Sequence, residues 1–186
     1  ILVALITHLI HGMNGEQIKT AWKTSFKQII GPALALFFGV AMVQLMIKSG
    51  TNGAGLDSMM TTMAKGVAAI TGMAYPFFAP FVGILGAFIS GSNTVSNILF
   101  ASLQFETAKI LSMSPLLIVA LQVIGGAVGN MVCVNNVVAA CATVGTTGVE
   151  GKIIRRNAIP MFIMGITVAF ILAILIYNGY DPFPGV

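Results

Sequence analysis

The chain has 186 residues, of which 57% are hydrophobic and 8% charged, and its mean hydropathy is +0.97. This composition excludes an ordinary soluble domain and indicates an integral membrane protein, because each spanning helix needs about 20 mostly apolar residues. The net charge of +4 does not indicate nucleic-acid binding, since the basic residues lie in short loops without interleaved aromatic residues. No Cys/His cluster has metal-ligand spacing, so we expect Cys133 and Cys141 to be buried free thiols and expect no metal or cofactor.

The N-terminal part is predicted to hold the end of one span, a basic segment and a second span. Residues 1–13 resemble the end of a span, and the chain opens on Ile1 without a signal-peptide pattern, so we expect a fragment of a longer protein. Residues 14–28 carry lysines spaced by four beside Trp22, which is typical of a basic cytoplasmic loop or interfacial helix. Residues 29–49 are predicted to cross outward as a span.

The remaining segments alternate apolar runs with breaks. Residues 56–73 are too short and polar for a comfortable span and are predicted to lie flat as an amphipathic interfacial arm. Residues 76–106 are predicted to enter and leave from outside as a re-entrant hairpin, and residues 114–147 to cross back as a broken span. Residues 157–177 form the last predicted span. This order puts the basic loop at residues 150–156 on the same side as the first basic segment, as the positive-inside rule prefers.

A polar knot interrupts the predicted hairpin. It lies within residues 83–105, GILGAFISGSNTVSNILFASLQF, and its polar side chains are Ser92, Asn93, Thr94, Ser96 and Asn97. At membrane depth such groups are tolerated where they are buried in protein or line a wet cavity. A half-helix that begins at Ser92 or Asn93 would present unpaired N–H groups to a carboxylate. The alternative is an ordinary helix cap between two spans, since Ser and Asn are favoured caps.

A second polar interruption lies in the predicted broken span. A small-residue face for close helix contact consists of Gly125, Gly126 and Gly129. Taken by itself, Asn130 is predicted to form a hydrogen bond to a neighbouring helix. The adjacent pair Asn135 and Asn136 indicates a binding site, because an unwound turn there would present carbonyl groups to a cation or amide groups to an anion. Paired interrupted segments of this kind are typical of a transporter's binding site.

Few ionisable residues lie near these breaks. Glu106 is the carboxylate beside the hairpin, and Lys109 three residues on predicts a solvated ion pair rather than a proton-carrying site. His8 and His11 lie at a helix end beside the basic segment, which favours an interfacial role. The chain has no phosphate loop, no HExxH and no nucleophile elbow, and Ser92 has no nearby histidine in sequence, so we do not expect an enzyme.

Three segments of the chain are distinctive: AYPFFAPFVGILGAF (74–88), GAFISGSNTVSNILFASLQF (86–105) and SPLLIVALQVIGGAVGNMVCVNNVVAACATVGTTGVEGKIIRRN (114–157). They closely resemble the C-terminal part of the L-lactate permease family, which is grouped with the ion-transporter superfamily. Their combination in this order makes the resemblance specific, and it extends weakly to the rest of the chain.

The resemblance implies an all-α integral membrane protein, namely one inverted-repeat half of a transporter with a re-entrant helical hairpin and a broken transmembrane helix. Some carboxylate transporters of that superfamily hold the substrate on a Ser-Asn-Thr motif at each of two hairpin tips. Ser92, Asn93 and Thr94 match that motif, and Asn135 and Asn136 fall in the matching interrupted helix. The partner hairpin, in the N-terminal half, is absent from this chain.

The implied function is secondary active uptake of L-lactate, with D-lactate or glycolate as further substrates, by proton symport across the bacterial inner membrane. The predicted substrate-binding residues are Ser92, Asn93, Thr94, Ser96, Asn97, Asn135 and Asn136. The predicted partners are the small monocarboxylate, protons, the lipid bilayer and the missing N-terminal half. Two alternatives stay open: a sodium-coupled di- or tricarboxylate carrier of the same superfamily, and a non-transport membrane subunit whose polar breaks serve only as helix contacts.

Overall fold

The computed structural model describes residues 2–146 and 148–182, apart from the side chains at positions 32 and 35. Every regular element in these residues is a helix, as the predicted all-α class requires. The helices are α1 (Leu2–Ile10), α2 (Gly15–Lys48), α3 (Met59–Thr71), α4 (Tyr75–Ser90), α5 (Asn93–Ile110), α6 (Pro115–Gly129), α7 (Val134–Thr143) and α8 (Glu150–Tyr177). The parts of the predicted segments at positions 1, 147 and 183–186 lie outside the described residues.

Short polar residues and proline start several of these helices. Ser58 caps α3, and its Oγ accepts a hydrogen bond from the Thr61 backbone N–H at 3.0 Å. Asn14 and Gln17 cap α2 reciprocally, since each side-chain oxygen accepts from the backbone N–H of the other residue. Pro115 opens α6, where its missing N–H costs nothing. These local groups determine where the chain turns.

The chain divides into two compact units, residues 1–38 and 39–186. Within the first unit, Trp22 Nε1 donates a hydrogen bond to His8 Nε2 at 3.0 Å, which joins α1 to the first part of α2. Within the second unit, Val43 at the end of α2 packs with Met60 of α3 and Leu103 of α5.

Helices α4, α5 and α6 form the centre of the second unit, and α4 packs most extensively on α6. Glycines make this approach possible. A β-carbon at Gly125 would collide with the Pro80 carbonyl oxygen, and one at Gly129 would lie 2.5 Å from the Ile84 carbonyl oxygen. The small-residue face predicted from the sequence is therefore a helix contact between α6 and α4.

Four stretches of the described chain are long and apolar enough to cross a membrane: Gly15–Lys48, Met59–Ser90, Pro115–Thr143 and Glu150–Tyr177. The last of them, α8, buries Met161, Gly165 and Ala169 and leaves large apolar side chains exposed on its other faces. Among those exposed side chains are Ile159, Phe162, Ile163, Ile166, Phe170, Ile171 and Ile174. A surface so apolar suits contact with lipid.

Several boundaries differ from the sequence prediction, among them the start of α8, which includes the predicted basic loop 150–156. Helix α2 runs without a break through the predicted basic segment 14–28 and the predicted span 29–49. The composition changes there from basic to apolar, but backbone hydrogen bonding does not depend on side-chain polarity. The predicted arm 56–73 contains α3, which continues into α4 through a single 3-10 turn, Gly72–Ala74. Gly72 has φ 51°, so the chain changes direction between the two helices.

Candidate functional site

The polar knot forms the tight turn of a helical hairpin between α4 and α5. Gly91 adopts the left-handed conformation with φ 74°, which ends α4. Ser90 Oγ donates to the Gly86 carbonyl oxygen at 2.7 Å and lies 3.0 Å from the Ser92 carbonyl oxygen. The Ser92 backbone N–H donates back to Ser90 Oγ at 3.3 Å. The turn is therefore closed by its own side chains.

Helix α5 begins directly after this turn, with Ser92 as its cap. Ser92 Oγ accepts a hydrogen bond from the Val95 backbone N–H at 3.4 Å. The backbone N–H groups of Asn93 and Thr94 make no hydrogen bond within the described residues. The start of α5 thus presents free N–H donors and the positive end of the helix dipole.

The second polar interruption separates α6 from α7. Residues 130–133 form successive tight turns, in which each backbone N–H donates to the carbonyl oxygen three residues earlier. Asn130 Nδ2 donates to the Gly126 carbonyl oxygen at 3.0 Å, and Asn136 Nδ2 donates to Asn130 Oδ1 at 2.9 Å. Asn157 Nδ2 donates to the Met131 carbonyl oxygen at 2.9 Å. Side-chain amides therefore hydrogen-bond to backbone carbonyl groups freed by the break.

The hairpin turn and the break lie against each other. A β-carbon added at Gly91 would lie 3.1 Å from Asn135 Nδ2 and 3.3 Å from Cys133 Sγ. Cys133 is the cap of α7, and its side chain makes no capping hydrogen bond. The turns that precede α5 and α7 are therefore neighbours. Two helix N-termini meeting in this way form a region that favours negative charge.

Six of the seven predicted binding residues lie at this junction. Ser92, Asn93 and Thr94 begin α5, and Asn97 lies one turn further; Thr94 is exposed and the other three are half-buried. Asn135 and Asn136 belong to the first turn of α7 and are exposed. The break itself lies a few residues earlier than that pair, at residues 130–133, which differs from the unwound turn that the sequence predicted at the pair.

Ser96 differs from the other six. Its side chain is completely buried. Ser96 Oγ donates to the Gly83 carbonyl oxygen at 2.9 Å and accepts from Gln122 Nε2 at 3.0 Å. These hydrogen bonds join α5 to α4 and α6, and they leave the Ser96 side chain out of reach of the exposed surface of the junction.

A buried polar cluster that the sequence pattern did not predict lies behind the hairpin turn. Tyr75, Gln104 and Gln122 are each 1% exposed or less. Tyr75 Oη donates to Gln104 Oε1 at 2.5 Å, and Gln104 Nε2 donates to Gln122 Oε1 at 3.0 Å. The available signal was the presence of isolated glutamines inside apolar runs, since polar side chains in membrane helices usually face partners.

The environment of Glu106 also differs from the prediction. Lys109 Nζ lies 5.5 Å from the centre of the Phe105 ring instead of pairing with Glu106. Glu106 makes no hydrogen bond or ion pair within the described residues. It is half-buried and lines a cavity of about 500 Å³ together with the hydroxyl residues Ser58, Thr61 and Ser102. The cysteines do match the prediction, since Cys133 and Cys141 are both buried and free.

Comparison with known proteins identifies relatives along almost the whole chain. A family model described as L-lactate permease matches residues 1–178. A putative L-lactate permease of Haemophilus influenzae is 38% identical over 96% of this chain and 33% of its own length. Glycolate permease GlcA of Escherichia coli is 39% identical over 65% of this chain and 21% of its own length. An L-lactate permease of Bacillus subtilis is 33% identical over 83% of this chain and 26% of its own length.

No solved structure matches the chain. The chain spans about a third or less of the length of the curated relatives it matches. The match to the family model extends from the first residue through the last long helix, and therefore covers both the hairpin and the broken helix. The chain is a multi-pass, all-α membrane protein that belongs to the L-lactate permease family.

Proposed function

We propose that this chain forms part of a secondary active carrier for L-lactate and related small monocarboxylates, including D-lactate or glycolate. The observation that carries the proposal is the meeting of two helix N-termini, at which Gly91 lies against Cys133 and Asn135. A carboxylate is favoured at such a point because the start of a helix carries free N–H donors and the positive end of the helix dipole. An enzyme is not proposed, since none of the hydroxyl and thiol groups described at the junction donates to a histidine or a carboxylate.

The polar groups at the junction suit a hydroxy acid. The free N–H groups of Asn93 and Thr94 are donors for the carboxylate, and Ser92 Oγ lies beside them. The exposed amides of Asn135 and Asn136 offer partners for a neighbouring hydroxyl group. Relatives of this chain are named for L-lactate and for glycolate, which share a carboxylate with a hydroxyl group on the adjacent carbon.

The remaining part of the protein is proposed to complete the site. The chain spans about a third of the first relative's length, and a second hairpin in the N-terminal half would close the substrate from the other side. The apolar outer surfaces suit the bilayer, and we propose the bacterial inner membrane as its location.

Proton symport is proposed as the energy source, and Glu106 is the candidate for the coupling proton. Its carboxylate has no partner within the described residues, and it faces a cavity with three hydroxyl residues. Lys109, one turn along α5, lies over the Phe105 ring instead of pairing with Glu106. An ionisable side chain without a partner beside membrane helices is a candidate functional residue.

Uptake of labelled L-lactate tests the proposal. The protein that contains this chain is expressed in cells without lactate and glycolate permeases, and uptake is measured with and without a protonophore. We expect saturable uptake that collapses with the protonophore and is competed by D-lactate or glycolate. Uptake that persists with the protonophore but needs sodium and is competed by succinate would instead identify a sodium-coupled carboxylate carrier. No uptake of any carboxylate by well-expressed protein would favour a non-transport subunit.

A further inference from the structure

Four side chains form a continuous hydrogen-bonded series behind the hairpin turn, which we call the buried amide chain: Tyr75, Gln104, Gln122 and Ser96. Each is 1% exposed or less, so none of them can touch a ligand. They come from three helices, α4, α5 and α6. No buried polar side-chain atom in the described residues lacks a hydrogen bond, as an apolar environment demands.

A backbone carbonyl group fixes the orientation of the side-chain amides in the buried amide chain, because a carbonyl oxygen only accepts hydrogen bonds. Gln104 Nε2 donates to the Ala79 carbonyl oxygen at 3.0 Å and, with the same amide orientation, to Gln122 Oε1 at 3.0 Å. Since the Gln122 oxygen is then occupied, its Nε2 faces α5. There it donates to Ser96 Oγ at 3.0 Å and to Asn97 Oδ1 at 3.4 Å.

The same order of donors and acceptors extends from Gln122 to the hairpin turn. Because Asn97 Oδ1 accepts from Gln122, Asn97 Nδ2 faces Asn93 and donates to Asn93 Oδ1 at 3.2 Å. Asn93 Oδ1 also lies against Gly126, where a β-carbon would collide with it. Asn93 Nδ2 makes no hydrogen bond within the described residues. The hairpin turn is therefore left with N–H donors from the Asn93 side chain and from the first turn of α5.

We propose that Gln122 is a positioning residue that makes this site selective for a carboxylate. Gln122 sets the amide direction of Asn97, and through Asn97 that of Asn93, so that the site presents N–H donors to the ligand. The inference rests on the proposed function, because it takes the hairpin turn as the carboxylate site. A merely structural Gln122 would change the amount of folded carrier but not its affinity for the substrate.

Gln122→Met tests the proposal, because methionine has a similar length and volume but no N–H. KM and Vmax for labelled L-lactate are measured in the protein that contains this chain, per folded carrier in the membrane. We expect KM to rise about tenfold, as the loss of one hydrogen bond to a charged group predicts, while Vmax stays within about twofold. Thr71→Val is the matched control. Thr71 is half-buried on α3, and among the described residues its hydroxyl donates to the Val67 carbonyl oxygen of its own helix, so KM in this variant should stay within about twofold.

A double mutant separates positioning from general destabilisation. Asn97→Leu breaks the same link from a half-buried position. If Gln122 acts through Asn97, the double variant raises KM no more than the larger single change does. Should Gln122→Met fail to reach the membrane, Gln122→Leu is measured in the same way, because a change at Asn97 alone would also remove a predicted binding residue.

The outcomes separate the two proposals. An unchanged KM in these variants, together with loss of uptake in Asn93→Ala, would overturn the role of Gln122 and leave the carboxylate site standing. If the parent protein does not take up L-lactate, thermal stabilisation by lactate, glycolate, succinate and citrate is measured, and the Kd of the ligand found replaces KM. Failure of every carboxylate to bind the parent protein would overturn both proposals.

Discussion

Gly91, at the turn of the α4–α5 hairpin, lies directly against Asn135 in the first turn of α7. A β-carbon at Gly91 would be 3.1 Å from Asn135 Nδ2, which is closer than side chains ordinarily pack. Gly91 also has φ 74°, a conformation that costs other residues about 1–2 kcal/mol. Glycine therefore suits both the left-handed conformation and the close contact with Asn135. The two polar breaks of the chain meet at this position.

The contact between the hairpin and the break predicts a cross-link. In a Gly91→Cys variant the new β-carbon would lie 3.3 Å from Cys133 Sγ, which is within reach of a disulfide. We expect mild oxidation to join the two cysteines, with mass spectrometry of the linked peptides as the measurement. Gly66→Cys is the matched control, because nothing lies within 4 Å of a β-carbon there. Equal thiol labelling of both variants after oxidation would argue against the contact.

The approach of α5 to α6 predicts that Gly126 cannot be enlarged. A β-carbon at Gly126 would collide with Asn93 Oδ1, so Gly126→Ala must displace the hairpin turn. We expect a loss of about 1–3 kcal/mol in stability and a strong fall in lactate uptake. Gly66→Ala, within α3 and with open space around it, should be neutral or stabilising by up to about 1 kcal/mol. Thermal unfolding in detergent compares the two variants, and equal melting temperatures would contradict the close packing.

If Glu106 carries the coupling proton, replacing it should separate lactate transport from proton coupling. Glu106→Gln keeps the shape of the side chain but cannot exchange a proton at neutral pH. We expect accumulation of lactate against its gradient to be lost, while exchange of labelled for unlabelled lactate across the membrane continues. The exposed Glu16→Gln serves as control and should accumulate lactate normally. Full accumulation by Glu106→Gln would remove Glu106 from the coupling mechanism.

Much of the hairpin could be predicted from sequence because its determinants are local. The sequence predicts a half-helix that begins at Ser92 or Asn93, and α5 begins at Asn93 with Ser92 as its cap. A capping side chain acts on N–H groups two or three residues away, so the pattern alone carries the information. The interruption before α7 was also expected, but it lies at residues 130–133, because Asn130 and Asn136 bond across the break.

The roles of Ser96 and Gln122 depend on tertiary contacts and were not predictable. Ser96 has the same residue type as Ser92, yet it faces α4 and α6 and is completely buried. The packing of the helices, such as that of α4 on α6, determines which side of each helix contacts a neighbour. The prediction of a Glu106–Lys109 ion pair was wrong for a related reason. A long lysine side chain reaches several neighbours, and here it lies over the Phe105 ring.

The carboxylate site at the hairpin turn is tested by measuring saturable L-lactate uptake by Asn93→Ala and by Asn178→Ala. Asn178 is also an asparagine, but it is exposed, and within the described residues its side chain bonds only to the Ile174 carbonyl oxygen of its own helix. We expect Asn93→Ala to reach the membrane in normal amounts and to lose saturable uptake, while Asn178→Ala transports like the parent protein. Unchanged uptake by Asn93→Ala would contradict the assignment of the carboxylate site to the hairpin turn.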